Sequence, residues 1–262
     1  MMEKRLTLEM VTAAFRTAYP GRDFVAEKER RWREHDDLVA TFPDRYSGDF
    51  FKKLVLVVFY SGMKASTVSS KQDLILKYLG DYKEAASFSE NDVLRICGIK
   101  DMIKSSAKVQ ACIYNAKVFV DLDKEFGSYG KYLLSSNKGF PEDDGHISEL
   151  LVDLQSRFDF LGPRTSKHFL MLSGFHLVKP DRMVMRVLFR LGLIPGETDE
   201  YIDQAVKMSL EAAEEAKIPA SFVDSILVNI GQSEGVELCK KEKPICDRCG
   251  LKPYCRYQTD QK

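Results

Sequence analysis

The sequence contains no run of eighteen or more apolar residues, and its first residues (MMEKRLTLEM) lack an apolar signal core. No membrane span and no secretory leader are therefore expected, and the chain reads as cytoplasmic. An excess of one charge is also missing, since 39 Lys and Arg balance 39 Asp and Glu. This removes the usual global mark of a nucleic-acid binder without excluding one, because a binding face needs only local potential. That local potential is uneven: Cys239 to Lys262 carries seven Lys/Arg against three Asp/Glu, whereas Glu197 to Glu215 is mainly acidic. Strand-like alternation is scarce, and neither repeats nor low-complexity tracts occur, which argues against sandwiches and solenoids. Histidine is sparse too, with four in the chain and none near the C-terminal cysteines.

What is present is helical periodicity. The 262 residues are 44% apolar and 30% charged, a soluble globular balance with enough length for one large domain or two modest ones. Residues 50–60 (FFKKLVLVVFY) suit a central buried helix. Ile147, Leu150, Leu151, Leu154 and Phe158 recur at helical spacing over 147–158, as do Met183, Val184, Val187, Leu188 and Leu191 over 182–192. On the latter segment Arg182, Arg186 and Arg190 form a stripe every four residues. Segments 199–216 and 219–231 read as two further helices, with breaks at 135–145 and 195–198. The chain is expected to be all-α.

The six cysteines divide into two kinds. Cys97 and Cys112 lie alone within helical patterns, where small buried side chains are expected. The other four follow the spacing C-x6-C-x2-C-x5-C at Cys239, Cys246, Cys249 and Cys255. Disulfides are unexpected in a cytosolic chain, so the quartet calls for a metal, either Zn²⁺ or a [4Fe–4S] cluster. Structural zinc sites usually pair two short Cys motifs across a longer loop. Here only one pair is short, which favours iron–sulfur.

This quartet resembles the C-terminal cluster motif of the endonuclease III family of DNA glycosylases, interval for interval. That resemblance implies a two-lobed helix–hairpin–helix glycosylase fold with a cluster loop at 239–255, and a first cluster loop that touches DNA phosphates through Lys240, Lys241 and Lys243. It also implies a hairpin, and Leu161-Gly162-Pro163-Arg164 resembles one, with Arg164 where a second glycine is usual and Pro163 removing one N–H donor. Gly162, Arg164, Ser166 and Lys167 are the DNA contacts expected there, since a hairpin offers N–H groups and a helix N-terminus to phosphate. Asp181 stands at the position of the family's catalytic aspartate, with Arg186 at the matching interval downstream. Pro180-Asp181 ahead of a helix is equally a good N-cap, and the two roles are compatible. The family's lyase lysine falls on Ser166, with Lys167 one residue later and about 100° round the helix. A monofunctional enzyme is expected, and Lys167 remains the candidate lyase residue.

A second resemblance, to the 3-methyladenine DNA glycosylase family, rests on Phe59-YSGMKASTVSSK, Ile103-KSSAKVQACIYNAK and Phe160-LGPRTSKHFLMLSGF. The glutamate and tryptophan with which that family reads its base correspond to Val57 and Ala65, so their chemistry does not carry over. On the endonuclease III pattern, Met63, after Ser61-Gly62, falls at the wedge position that fills the gap left by an extruded nucleotide, or packs a helix end. Phe59 and Tyr60 are candidates for the base pocket or the core, and Lys104 and Lys108 for phosphate contact or plain solvation.

Together the resemblances imply one helical lobe at 48–176 ending in the hairpin, and a second built from 1–47 and 177–262. They imply hydrolysis of the N-glycosidic bond of a damaged, most simply alkylated, base in duplex DNA. A nucleoid-associated monomer with a [4Fe–4S] cluster and no membrane partner is expected. The alternatives are a bifunctional glycosylase and lyase acting on oxidised pyrimidines, and a DNA-binding protein without catalysis.

Overall fold

The computed structural model describes residues 5–42, 45–135, 144–232 and 235–258. Every regular element among them is helical. The chain begins with α1 (Leu8–Ala18) and α2 (Phe24–Ala40), then α3 (Ser47–Tyr60), α4 (Ala65–Ser69), α5 (Gln72–Leu79), α6 (Tyr82–Ala85) and α7 (Glu90–Cys97). The long α8 (Ser106–Phe126) is followed by α9 (Tyr129–Ser135), α10 (Asp144–Arg157) and α11 (Pro163–Ser173). Last come α12 (Arg182–Arg190), α13 (Ile202–Ala216) and α14 (Ala220–Gly231), with short 3₁₀ turns through the cysteine segment. No helix among the described residues is long and apolar enough to cross a membrane.

Two compact units result, residues 38–175 and residues 1–37 with 176–262. In the first, α3 is the central strut, with Phe50, Phe51, Leu54, Val55, Val58 and Phe59 buried. Each such side chain contributes roughly 1.5–3 kcal/mol on burial. The phenyl ring of Phe119 on α8 stacks on Tyr129 at 4.1 Å and meets Phe51 edge-on at 5.2 Å. Phe59 is therefore core rather than pocket lining, while Tyr60 lies half-buried with its hydroxyl on Ser69 Oγ at 2.9 Å.

In the second unit, α14 packs against α1, α12 and α13. α1 and α13 bring to this core apolar side chains and Ser209, whose hydroxyl donates back to the Ala205 carbonyl. Phe15, Phe24 and Phe222 form an edge-on aromatic cluster there. The 199–216 segment opens as a 3₁₀ turn (Asp199–Tyr201) before becoming α13. The expected break at 135–145 falls largely outside the described residues.

Candidate active site and cysteine loop

The hairpin lies between α10 and α11. α11 starts immediately after the turn, with Gly162 as its N-cap and Pro163 as its first helical residue. Proline costs nothing at that position, where the N–H lacks an intrahelical acceptor in any case. Nothing stands within 4 Å of where a Gly162 side chain would begin, so the turn faces open space. The turn is also braced. Phe160 adopts a left-handed conformation (φ 64°), and its carbonyl accepts the Thr165 hydroxyl at 2.6 Å. Asn115, fully buried on α8, holds Asp159 in both directions, its amide donating to the Asp159 carbonyl at 3.1 Å and its oxygen accepting the Asp159 N–H at 2.8 Å.

Two hairpin expectations need correction. Ser166 is fully buried, with its hydroxyl donating to the Gly162 carbonyl at 2.9 Å and accepting from the Gln155 amide at 3.2 Å. Its side chain serves the helix rather than a phosphate. Lys167 is also buried, because it lies on the packed face of α11 and not on its solvent face. Arg164 is half-buried.

A third correction concerns Lys108. Lys104 precedes α8, whereas Lys108 lies in its first turn. Lys108 is buried, and its ammonium donates to the carbonyls of Val58 and Ser61 while lying 5.0 Å from the Phe160 ring centroid. Burial lowers its pKa. It is neither solvated nor phosphate-facing; it ties the end of α3 to the hairpin side of α8. Beyond Ser61, Gly62 takes a left-handed conformation (φ 70°) and Met63 is half-exposed, its N–H donating to the Tyr60 carbonyl. Cys112 is buried as expected, whereas Cys97 is half-exposed near the end of a short helix.

In the other unit, Asp181 caps α12. Its Oδ1 accepts the N–H groups of Met183 at 2.7 Å and Val184 at 3.1 Å. Its Oδ2 lies 3.7 Å from Lys179 Nζ. The carboxylate is thus fixed by backbone donors and stays partly exposed, with 23% of the side chain accessible. Behind Lys179 stands Asp224 of α14, which accepts the Lys179 N–H at 3.0 Å.

From Asp181, α12 leads directly to the cysteine loop. Arg186 and Arg190 are both buried, so most of the arginine stripe is an internal scaffold. Arg186 donates to the Cys239 carbonyl at 3.3 Å. Arg190 donates to the carbonyls of Lys240 at 2.8 Å and Lys241 at 3.0 Å, and to Cys239 Sγ at 3.2 Å. Its guanidinium also covers the Tyr257 ring at 4.2 Å, and the Cys255 thiol contacts its carbonyl at 3.5 Å. Two arginines one turn apart therefore hold the first cysteine loop by its backbone, leaving Lys241 and Lys243 exposed and Lys240 paired with Glu237 at 3.5 Å. On the far side, Gly250 N–H donates to Thr17 Oγ1 at 3.0 Å, and a side chain at Gly250 would meet the Ala13 carbonyl at 2.9 Å.

The donor set fits an iron–sulfur cluster. Cys239, Cys249 and Cys255 pack against the apolar core, and burial pushes up the pKa of each thiol. The four sulfurs are near enough for each of these three to be raised further by others of the quartet, while Arg190 opposes the rise at Cys239 and Cys255. An anionic cluster needs such a countercharge, since a buried charge is tolerated only when paired. Among the described residues no His, Cys, Asp or Glu group gathers as for a single metal ion.

One curated relative, endonuclease III of Sulfolobus acidocaldarius, is 33% identical over 81 residues, which are 30% of this chain and 32% of that protein. The chain thus matches about a third of that relative's length. Among solved structures, a 3-methyladenine DNA glycosylase I from Staphylococcus aureus aligns with TM-score 0.46 and 21% identity over 62% of this chain and 91% of its own. A point mutant of such an enzyme, also from Staphylococcus aureus, aligns with TM-score 0.44 and 23% identity over 53% and 87%. The methyladenine glycosylase family model matches residues 26–175, more than half of the sequence. The chain belongs to the methyladenine glycosylase family.

Proposed function

We propose that this protein is a monofunctional DNA glycosylase that hydrolyses the bond between deoxyribose and an alkylated base in duplex DNA. Family membership across 26–175 carries this reading, and the fixed, partly exposed carboxylate of Asp181 supports it. Breaking an N-glycosidic bond builds positive charge on the sugar. A preorganised carboxylate lowers the energy of that state and orients or deprotonates the attacking water, and such effects are worth about 10²–10⁴-fold in rate. The target base must first leave the stack, and Met63, beside the left-handed Gly62, fills the gap. The open turn at Gly162 and the first-turn N–H groups of α11 take a phosphate, with Arg164 adding charge. The buried position of Lys167 and the presence of Ser166 at the usual lyase position favour water over an amine as the nucleophile.

Cys239, Cys246, Cys249 and Cys255 would hold a [4Fe–4S] cluster, whose contribution is structural. The chain's own residues do the rest: Arg186 and Arg190 fix the loop backbone, and Lys240, Lys241 and Lys243 meet phosphates from it. A duplex panel carrying alkylated, oxidised and deaminated bases tests this function, scored for free-base release with and without alkali. Release from the alkylated duplexes, strand breakage only after alkali and no borohydride-trapped adduct are expected. Strand breakage without alkali, or release confined to oxidised pyrimidines, would contradict it.

A further inference from the structure

Asp224 plays no part in the steps above, yet it is a carboxyl group buried in a largely apolar core, 7% exposed. Its Oδ1 accepts the backbone N–H of Lys179 at 3.0 Å. The Lys179 carbonyl in turn accepts the Asp181 N–H at 2.8 Å, and the Lys179 ammonium lies 3.7 Å from Asp181 Oδ2. Lys179 therefore meets the Asp224 carboxyl with its N–H, the Asp181 carboxylate with its ammonium and the Asp181 backbone N–H with its carbonyl. The segment 179–181 has no regular structure of its own, and a long-range hydrogen bond from α14 fixes its backbone just ahead of the α12 cap.

We propose that Asp224 is a positioning residue for Asp181: by anchoring the Lys179 backbone to α14 it sets where the Asp181 carboxylate stands. This rests on the glycosylase reading for its catalytic consequence, though not for the contact itself. A surface loop could be tethered by any polar group, but a buried carboxyl group is a costly choice, tolerated where it fixes something that must not move. The charged groups acting on Asp224 are Asp181 and Lys179, both ahead of α12; α1 and α13 turn apolar side chains and Ser209 to this core. Burial first, and the neighbouring Asp181 second, raise its pKa to about 8, so at neutral pH it holds a proton and leaves the Lys179 ammonium to Asp181.

The test uses the full-length, cluster-loaded protein and the variants Asp224→Ala and Asp224→Asn. Asparagine keeps the oxygen acceptor for the Lys179 N–H, and alanine removes it. Single-turnover base release from methylated duplex should fall about 100-fold in Asp224→Ala, the scale on which small misplacements cost rate. Duplex binding should change less than about twofold, and Asp224→Asn should stay within about fivefold of wild type, as expected of an effect on the reacting geometry alone. A merely structural role would lower binding and folded fraction together and would not be rescued so selectively. Wild-type release by Asp224→Ala, or an equal loss in Asp224→Asn, overturns the proposal.

A second readout needs no substrate. Amide exchange at Lys179, Met183 and Val184 should be slow in wild type and in Asp224→Asn, and faster at all three in Asp224→Ala. Fast exchange of the Lys179 amide in the wild type itself overturns the proposal whether or not any variant folds. If exchange behaves as expected while wild type releases no base from any lesion, the glycosylase reading fails and the anchoring contact stands.

Discussion

Replacing Asp224 with asparagine should stabilise the fold by an amount that grows with pH. In the folded protein, burial raises this carboxyl from 3.8 to about 8. Between those values the unfolded chain has released the proton and the folded chain retains it. Folding then takes up a proton, so stability attributable to Asp224 falls as pH rises through this window and is level outside it. Each pH unit is worth about 1.4 kcal/mol, so the wild type should lose about 2.7 kcal/mol relative to Asp224→Asn between pH 5 and pH 7. That figure is an upper bound, because local relaxation relieves part of the burial. The asparagine can still accept from the Lys179 N–H, so no unpaired donor obscures the comparison. Urea denaturation of both proteins at pH 5, 6 and 7 measures the difference. A gap that stays constant across that range, or narrows as pH rises, would refute the assignment of a proton to Asp224.

Other substitutions probe the supports of the site. Lys108→Met should cost about 1–3 kcal/mol in chemical denaturation, since the buried Val58 carbonyl and the part-buried Ser61 carbonyl lose their donor. It should also weaken duplex binding by freeing the Ser61–Met63 turn. Gly250→Ala would press a methyl group against the Ala13 carbonyl, an overpacking worth about 1–3 kcal/mol, and should reduce iron content by lifting the cysteine loop from α1. The purified protein should carry about four irons and about four sulfides per chain. A colourless protein with stoichiometric zinc would contradict the cluster.

Much of this organisation was legible in the sequence, for a physical reason. The helices over 147–158 and 182–192 announce themselves because one apolar stripe must meet a core, and the cysteine spacing is visible because its ligands lie close together along the chain. Asp181 is legible for a similar reason, since a helix cap is a local signal. Asp224 gives no such signal: it is one aspartate on an apolar helix, and its partner is 45 residues earlier. The role of Arg186 and Arg190 was half visible. Their period of four places them on one face, but only packing decides whether a face meets water or a loop backbone. Lys108, Ser166 and Lys167 mislead for the same reason, because sequence suggests polar residues at the surface and cannot show when a carbonyl or a neighbouring side chain draws them inward.

The central claim is that the Asp181 carboxylate drives excision of an alkylated base. Its most direct test is the single-turnover rate of free-base release from methylated duplex by wild type and by Asp181→Asn, with duplex binding measured alongside. Asparagine can still cap α12, so folding and binding should be retained while release falls by about 10²-fold or more. Equal rates for the two proteins would contradict the account.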